Sequence, residues 1–117
     1  MLVRRNTLVA TAATVTLAVA GTAVAAPLAT YKLSADKSQL KFSRATIRAK
    51  AGKVTLRMAN PSNLPHAIAI QGQGKGKTVG KGGTSTVTAT LKKGTYTFSC
   101  PVGSHAKAGM RGKLIVS

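Results

Sequence analysis

The feature that most restricts this chain is a period of two. From Tyr31 onward, apolar residues return at every second position in short runs, the spacing that lines up side chains on one face of a β-strand. Val54, Leu56 and Met58 alternate with Lys53, Thr55 and Arg57, so the bases fall on the solvent side. Leu40 and Phe42 bracket Lys41 in the same way. His66, Ile68 and Ile70 alternate with Ala67 and Ala69, and Val87, Ala89 and Leu91 with Thr86, Thr88 and Thr90. Tyr96, Phe98 and Cys100 alternate with Thr95, Thr97 and Ser99, and residues 111–117 supply a last strand. Turn signals separate the runs: Ala51-Gly52, Asn60-Pro61-Ser62-Asn63, the Gly- and Lys-rich residues 71–83, and Lys93-Gly94. Helical periodicity, heptads and internal repeats are all missing, so an all-β fold is predicted, an antiparallel or mixed sandwich or barrel. Residues 71–83 are expected to form a flexible basic loop. A phosphate-cradling loop would need Gly-Lys-Ser/Thr at a fixed offset opening a helix, and no helical pattern follows.

Length limits the organisation, because 117 residues make about one domain. Arg4 and Arg5 precede a small apolar run broken by Thr11, Thr14, Thr16 and Thr22, and Ala23-Val24-Ala25 supplies a small-x-small cleavage pattern. Residues 1–25 are therefore expected to be a secretory signal peptide cut near Ala25 or Ala26, with one domain over residues 27–117. A membrane anchor would need a longer, uninterrupted span. The expected product is exported, to the periplasm or the extracellular envelope, and free of a transmembrane anchor. The Arg4-Arg5 pair leaves the export route open between the general and twin-arginine pathways.

Charge is the second strong signal. Eighteen Lys and Arg face a single acid, Asp36, and losing Arg4 and Arg5 would take the net charge from +17 to +15. A surface that basic attracts anions and opposes self-association, so a monomer with an acidic or anionic partner is expected. Nucleic acid is disfavoured. The aromatics are Tyr31, Phe42, Tyr96 and Phe98, and the last two share the inward parity of Cys100, which removes them from base stacking. An acidic redox protein or an anionic cell-envelope polymer fits better.

Cys100 is the only cysteine, so an oxidising compartment gives it no internal disulfide partner. Its surroundings supply another use. Cys100-Pro101-Val102-Gly103-Ser104-His105-Ala106-Lys107-Ala108-Gly109-Met110 puts a thiolate, an imidazole and a thioether on one loop, and the other histidine, His66, follows the turn at Asn60-Pro61-Ser62-Asn63-Leu64-Pro65. Two His and one Cys with a weak axial Met form the ligand set of blue-copper electron-transfer sites. Structural zinc prefers a closed tetrahedral set of Cys and His, and methionine in the fourth place favours copper. Met58 alternates inward with Val54 and Leu56 and reads as core.

These residues resemble the cupredoxin family, in particular the small single-domain members related to plastocyanin. The resemblance runs through Ala49-Lys50-Ala51-Gly52-Lys53-Val54-Thr55, Asn60-Pro61-Ser62 with Pro65-His66-Ala67-Ile68-Ala69-Ile70, Gly94-Thr95-Tyr96-Thr97-Phe98-Ser99-Cys100, and Ala108-Gly109-Met110-Arg111-Gly112-Lys113-Leu114. It implies a Greek-key β-sandwich with one copper per chain at one end, His66 as the upstream ligand, and Cys100, His105 and Met110 as the ligand loop. Two departures stand out. Many members carry Asn after the first histidine, tying the ligand loops together; here Ala67 leaves only a backbone N–H to face the Cys100 sulfur. The strong positive charge also differs, so the partners of relatives do not carry over.

A one-electron carrier is the function these observations favour, with His105 as the port. In the family the downstream histidine reaches the surface through an apolar patch, which Leu64, Pro65, Pro101, Val102, Ala106 and Ala108 can form here, with Lys107 and Arg111 at its rim. The competing class is an exported copper carrier or scavenger with no dedicated redox partner. Enzymatic copper chemistry would need further histidines, and acid–base catalysis more than one carboxylate.

Overall fold

The computed structural model describes residues 28–117. The expected leader and its cleavage site lie outside the described residues. Eight strands follow one another: β1 (Leu28–Ser34), β2 (Thr46–Ala49), β3 (Gly52–Ala59), β4 (Ala69–Ile70), β5 (Gly74–Lys75), β6 (Thr84–Leu91), β7 (Gly94–Ser99) and β8 (Arg111–Val116). They form two sheets, one ordered β1-β3-β6 and the other β2-β8-β7-β4-β5. The fold is all-β, with no helix among the described residues.

Alternation builds the sandwich. In β3, Val54, Leu56 and Met58 are buried while Lys53, Arg57 and Ala59 are exposed, and in β6 Ser85, Val87 and Leu91 turn inward against exposed Thr84, Thr86, Thr88 and Thr90. From the other sheet, Ile47, Phe98, Leu114 and Val116 meet them in one core, with Phe42 and Phe98 tilted at 53° and 5.5 Å between ring centres. Both sheets are mixed: β1 runs parallel to β3, and β2 parallel to β8, while β3–β6, β4–β7 and β7–β8 are antiparallel.

Three segments depart from the periodic reading. Leu40, Lys41 and Phe42 form no strand: residues 37–41 are a bend, and only an isolated bridge joins Phe42 to Ala35. Residues 66–70 are buried at every position, and only Ala69–Ile70 is a strand, so the expected in–out alternation there is absent. The covering comes from residues 71–83, expected as a free loop. They hold β5 against β4 and bridge Val79 to His66, with Val79 N–H donating to His66 O at 2.8 Å and His66 N–H to Val79 O at 3.1 Å. One glycine there serves close packing. A Cβ on Gly76 would lie 2.6 Å from the Thr86 carbonyl oxygen.

Candidate metal centre

The site follows from strand direction. Because β4 is antiparallel to β7 with Ala69 opposite Ser99, residues preceding β4 lie beside residues following β7. That register carries His66 toward Cys100. The β7–β8 ladder extends one step past Ser99 and Arg111, with Cys100 N–H donating to Met110 O at 3.0 Å, so both ends of the ligand loop close on each other. Within the loop, Met110 N–H donates to His105 O at 3.0 Å and His105 N–H to Val102 O at 3.1 Å. Each loop ligand is therefore fixed through backbone bonds.

His66, Cys100 and His105 converge. His66 Nδ1 and His105 Nδ1 are 3.2 Å apart, and Cys100 Sγ lies 3.9 Å from the first and 3.6 Å from the second. Cys100 and Met110 are fully buried, His66 is 1% exposed, and His105 is half-buried. Desolvation pushes the His66 imidazole below its ordinary value, and His105 beside it adds to the shift. Its Nε2 is buried without a hydrogen-bond partner. Of its two ring nitrogens, Nδ1 is the one turned into the cluster.

The residues fit a single metal ion. A point equidistant from the three donor atoms lies about 2.1 Å from each, the circumradius of their triangle, close to first-row metal–nitrogen and metal–sulfur bond lengths of about 2.0–2.3 Å. Two unprotonated imidazole nitrogens and a thiolate form a soft set suited to copper. No carboxylate joins them, since Asp36 accepts bonds on Oδ1 from the Ser38 and Gln39 backbone N–H groups and the Ser38 hydroxyl. Met110 stands at the base of the loop, fully buried, its carbonyl bonded to the Cys100 N–H. Met58 is fully buried in mid-strand, within the core.

The tie between the ligand loops differs from the one a post-histidine asparagine would make. Ala67 is buried, and its N–H makes no hydrogen bond to the Cys100 sulfur. Instead Asn60, 1% exposed, organises the His66 side. Its Nδ2 donates to Leu64 O at 2.8 Å and Val79 O at 2.9 Å, and its Oδ1 accepts from Ser62 N–H at 3.0 Å. Its backbone joins the same clasp, donating to Gly83 O and accepting from Gly82 N–H. Ser85 adds another anchor by accepting the Ile68 N–H on Oγ at 3.2 Å. In sequence Asn60 is only a turn residue, and Ser85 lies on the inward parity of its strand; neither carries a signal that separates it from ordinary polar residues.

A two-sheet β-sandwich with a buried thiol and two imidazoles converging at one end defines a class, small β proteins that grip one soft metal ion. The chain belongs to the cupredoxin-like domain family, whose model matches residues 8–116. Among solved structures it is similar to dithionite-reduced auracyanin from the photosynthetic bacterium Roseiflexus castenholzii, with 22% identity and a TM-score of 0.68 over 78% of this chain and 99% of that one. Auracyanin A, a blue copper protein from Chloroflexus aurantiacus, aligns at 22% identity and TM-score 0.69, covering 78% of this chain and 100% of that chain. A blue copper oxidase from Nitrosomonas europaea aligns at 22% identity and TM-score 0.65, over 75% of this chain but 38% of its own. No curated protein sequence matches the chain.

Proposed function

We propose that this protein is a type 1 copper protein, exported by its N-terminal segment, that carries single electrons between redox partners. The observation that carries this reading is the convergence of one thiolate and two imidazoles around a point about 2.1 Å from each donor atom. Copper bound there supplies a one-electron Cu(I)/Cu(II) couple. His66 and His105 would hold it through Nδ1 and Cys100 through Sγ, with Met110 as the fourth, weaker ligand. The packed core around Phe98, Ile68 and Leu114 and the backbone bonds of the ligand loop resist rearrangement, which keeps the barrier to electron exchange low.

His105 is the port. It is the half-exposed ligand, and exposed Leu64, Pro65, Pro101 and Ala108 with half-buried Val102 and Ala106 supply an apolar surface beside it. Exposed Lys107 and Arg111 flank this surface and orient an acidic partner, raising encounter rates. Both histidines and the cysteine are used in one site, leaving none for a second copper centre, which supports a carrier over an enzyme. All four aromatics pack on the core, so nucleic acid finds no stacking platform. No helix of the described residues is long and apolar enough to cross a membrane. Residues 1–25 support export.

Electron exchange tests the reading against a copper store. The copper-loaded protein should react quickly with an anionic reagent, more slowly as salt screens charge over about 10 Å at 0.1 M, and with the opposite salt trend for a cationic reagent of matched driving force. Lys107→Glu with Arg111→Glu should slow the anionic reaction and leave the visible spectrum unchanged. Copper inert to every redox reagent, yet passed readily as Cu(I) to an apo-acceptor, would overturn the electron-carrier assignment in favour of a copper carrier.

A further inference from the structure

Part of the basic charge stands on the outer face of the five-stranded sheet, away from the core. Lys113 stands between Thr46 of β2 and Thr97 of β7 in one row across three strands, and Gln71 extends the row because its N–H donates to Thr97 O at 2.9 Å. Arg111 lies two residues back along β8, on the same face and roughly 6.8 Å away by strand geometry. These five side chains line a cleft of about 530 Å³. All but the half-buried Thr97 are exposed.

We propose that this cleft is a binding site for a phosphate-class oxyanion. Its side chains are rich in donors: a guanidinium fork, an ammonium, two hydroxyls and a carboxamide. The carboxylate that would neutralise the two cations internally is missing, because Asp36 is the chain's one acid and its Oδ1 is occupied by Ser38 and Gln39. An arriving anion would therefore meet two exposed cations on one face with no carboxylate paired to either. The arginine fork matches the paired oxygens of a phosphate, and the lysine adds a point charge. The frame is rigid. β8 is an interior strand, paired on both sides, and Lys113 N–H donates to Ala45 O at 2.9 Å, so the donors stand on a fixed surface. A smaller cleft on the other sheet, about 290 Å³ and lined by Lys32, Arg57 and Thr84, offers only one hydroxyl beside its two cations.

The bound group can be free phosphate or a phosphodiester of an anionic polymer. Calorimetric titration of the full chain with inorganic phosphate, and separately with soluble poly(glycerol phosphate), distinguishes the two. Two double variants remove the same charge: Arg111→Gln with Lys113→Gln in the cleft, and Lys92→Gln with Lys93→Gln at the exposed β6–β7 turn. Saturable one-to-one binding of phosphate, weakened at least tenfold by the cleft variant and less than twofold by the turn variant, supports the site with free phosphate as ligand. The same pattern with the polymer alone supports it with a polymer-borne phosphodiester. Equal weakening by both variants, or no binding of either probe, overturns it, since the charge would then act as a diffuse field.

Discussion

The two halves of the metal centre are held in different ways. Cys100, His105 and Met110 sit on one loop that closes on itself, Cys100 N–H to Met110 O and Met110 N–H to His105 O, so local backbone bonds place three ligands together. His66 lacks such local closure: its two backbone bonds both run to Val79, thirteen residues further along the chain. It is held from a distance by the Val79 bridge, by the Asn60 side chain reaching Leu64 and Val79, and by Ser85 under Ile68. Contiguous ligands are organised by their loop, whereas a remote ligand needs a clasp built from residues that never touch metal.

Breaking the clasp is the sharpest test of that contrast. Asn60→Ala removes three side-chain hydrogen bonds and orphans the buried Ser62 N–H, while Leu64 O keeps the Ser62 hydroxyl and Val79 O the His66 N–H, which should cost about 1–3 kcal/mol of stability. Urea unfolding of the apo-protein measures it. Copper affinity should fall as well, while Cys100 still binds soft metal through its own loop. An unchanged midpoint and affinity would mean that His66 needs no clasp.

Met110→Gln probes the self-closed loop in the same spirit. Burying a carboxamide in place of the thioether should cost about 1–3 kcal/mol in the apo-protein. With copper bound, a harder oxygen donor should lower the reduction potential while copper stays in place, as voltammetry would show. Release of all copper would place Met110 among the main ligands.

Acid separates the two sides more gently. Burial and His105 lower the His66 proton affinity in the folded protein, so below about pH 6.5 the unfolded chain binds more protons there than the folded one. Apo-protein stability should be full above that pH and decline as pH falls toward the lowered folded value. His66→Gln should flatten this decline in thermal melts recorded between pH 7 and 5.

The smallest effect is expected at Met58, inside the sandwich. Met58→Leu nearly conserves volume and should cost less than about 1.5 kcal/mol, with the visible spectrum of the copper form unaltered. A spectral shift would place Met58 in the metal's surroundings after all.

This contrast also explains what could be read from the chain. The alternation of Val54, Leu56 and Met58, and of Val87 and Leu91, reports a single buried face, and the loop from Cys100 to Met110 shows its ligands because they are consecutive. The His66 side hides its logic. Residues 66–70 are covered on both faces, and periodicity cannot reveal a second cover supplied by residues 71–83. Glycine in that cover looked like freedom, yet Gly76 is needed because the Thr86 carbonyl leaves no room for a side chain. The parallel pairings β1–β3 and β2–β8 join residues far apart in sequence, which local patterns do not encode. The role of Asn60 depends on Val79, nineteen residues away, and no local pattern marks it as more than a turn residue.

Copper titration of the protein, followed by visible absorption and electron paramagnetic resonance, tests the central claim most directly. One copper per chain should bind with an intense thiolate-to-Cu(II) band and a narrow copper hyperfine splitting, and Cys100→Ser should abolish the band. A colourless protein that takes zinc and ignores copper, or a band that survives Cys100→Ser, would contradict it.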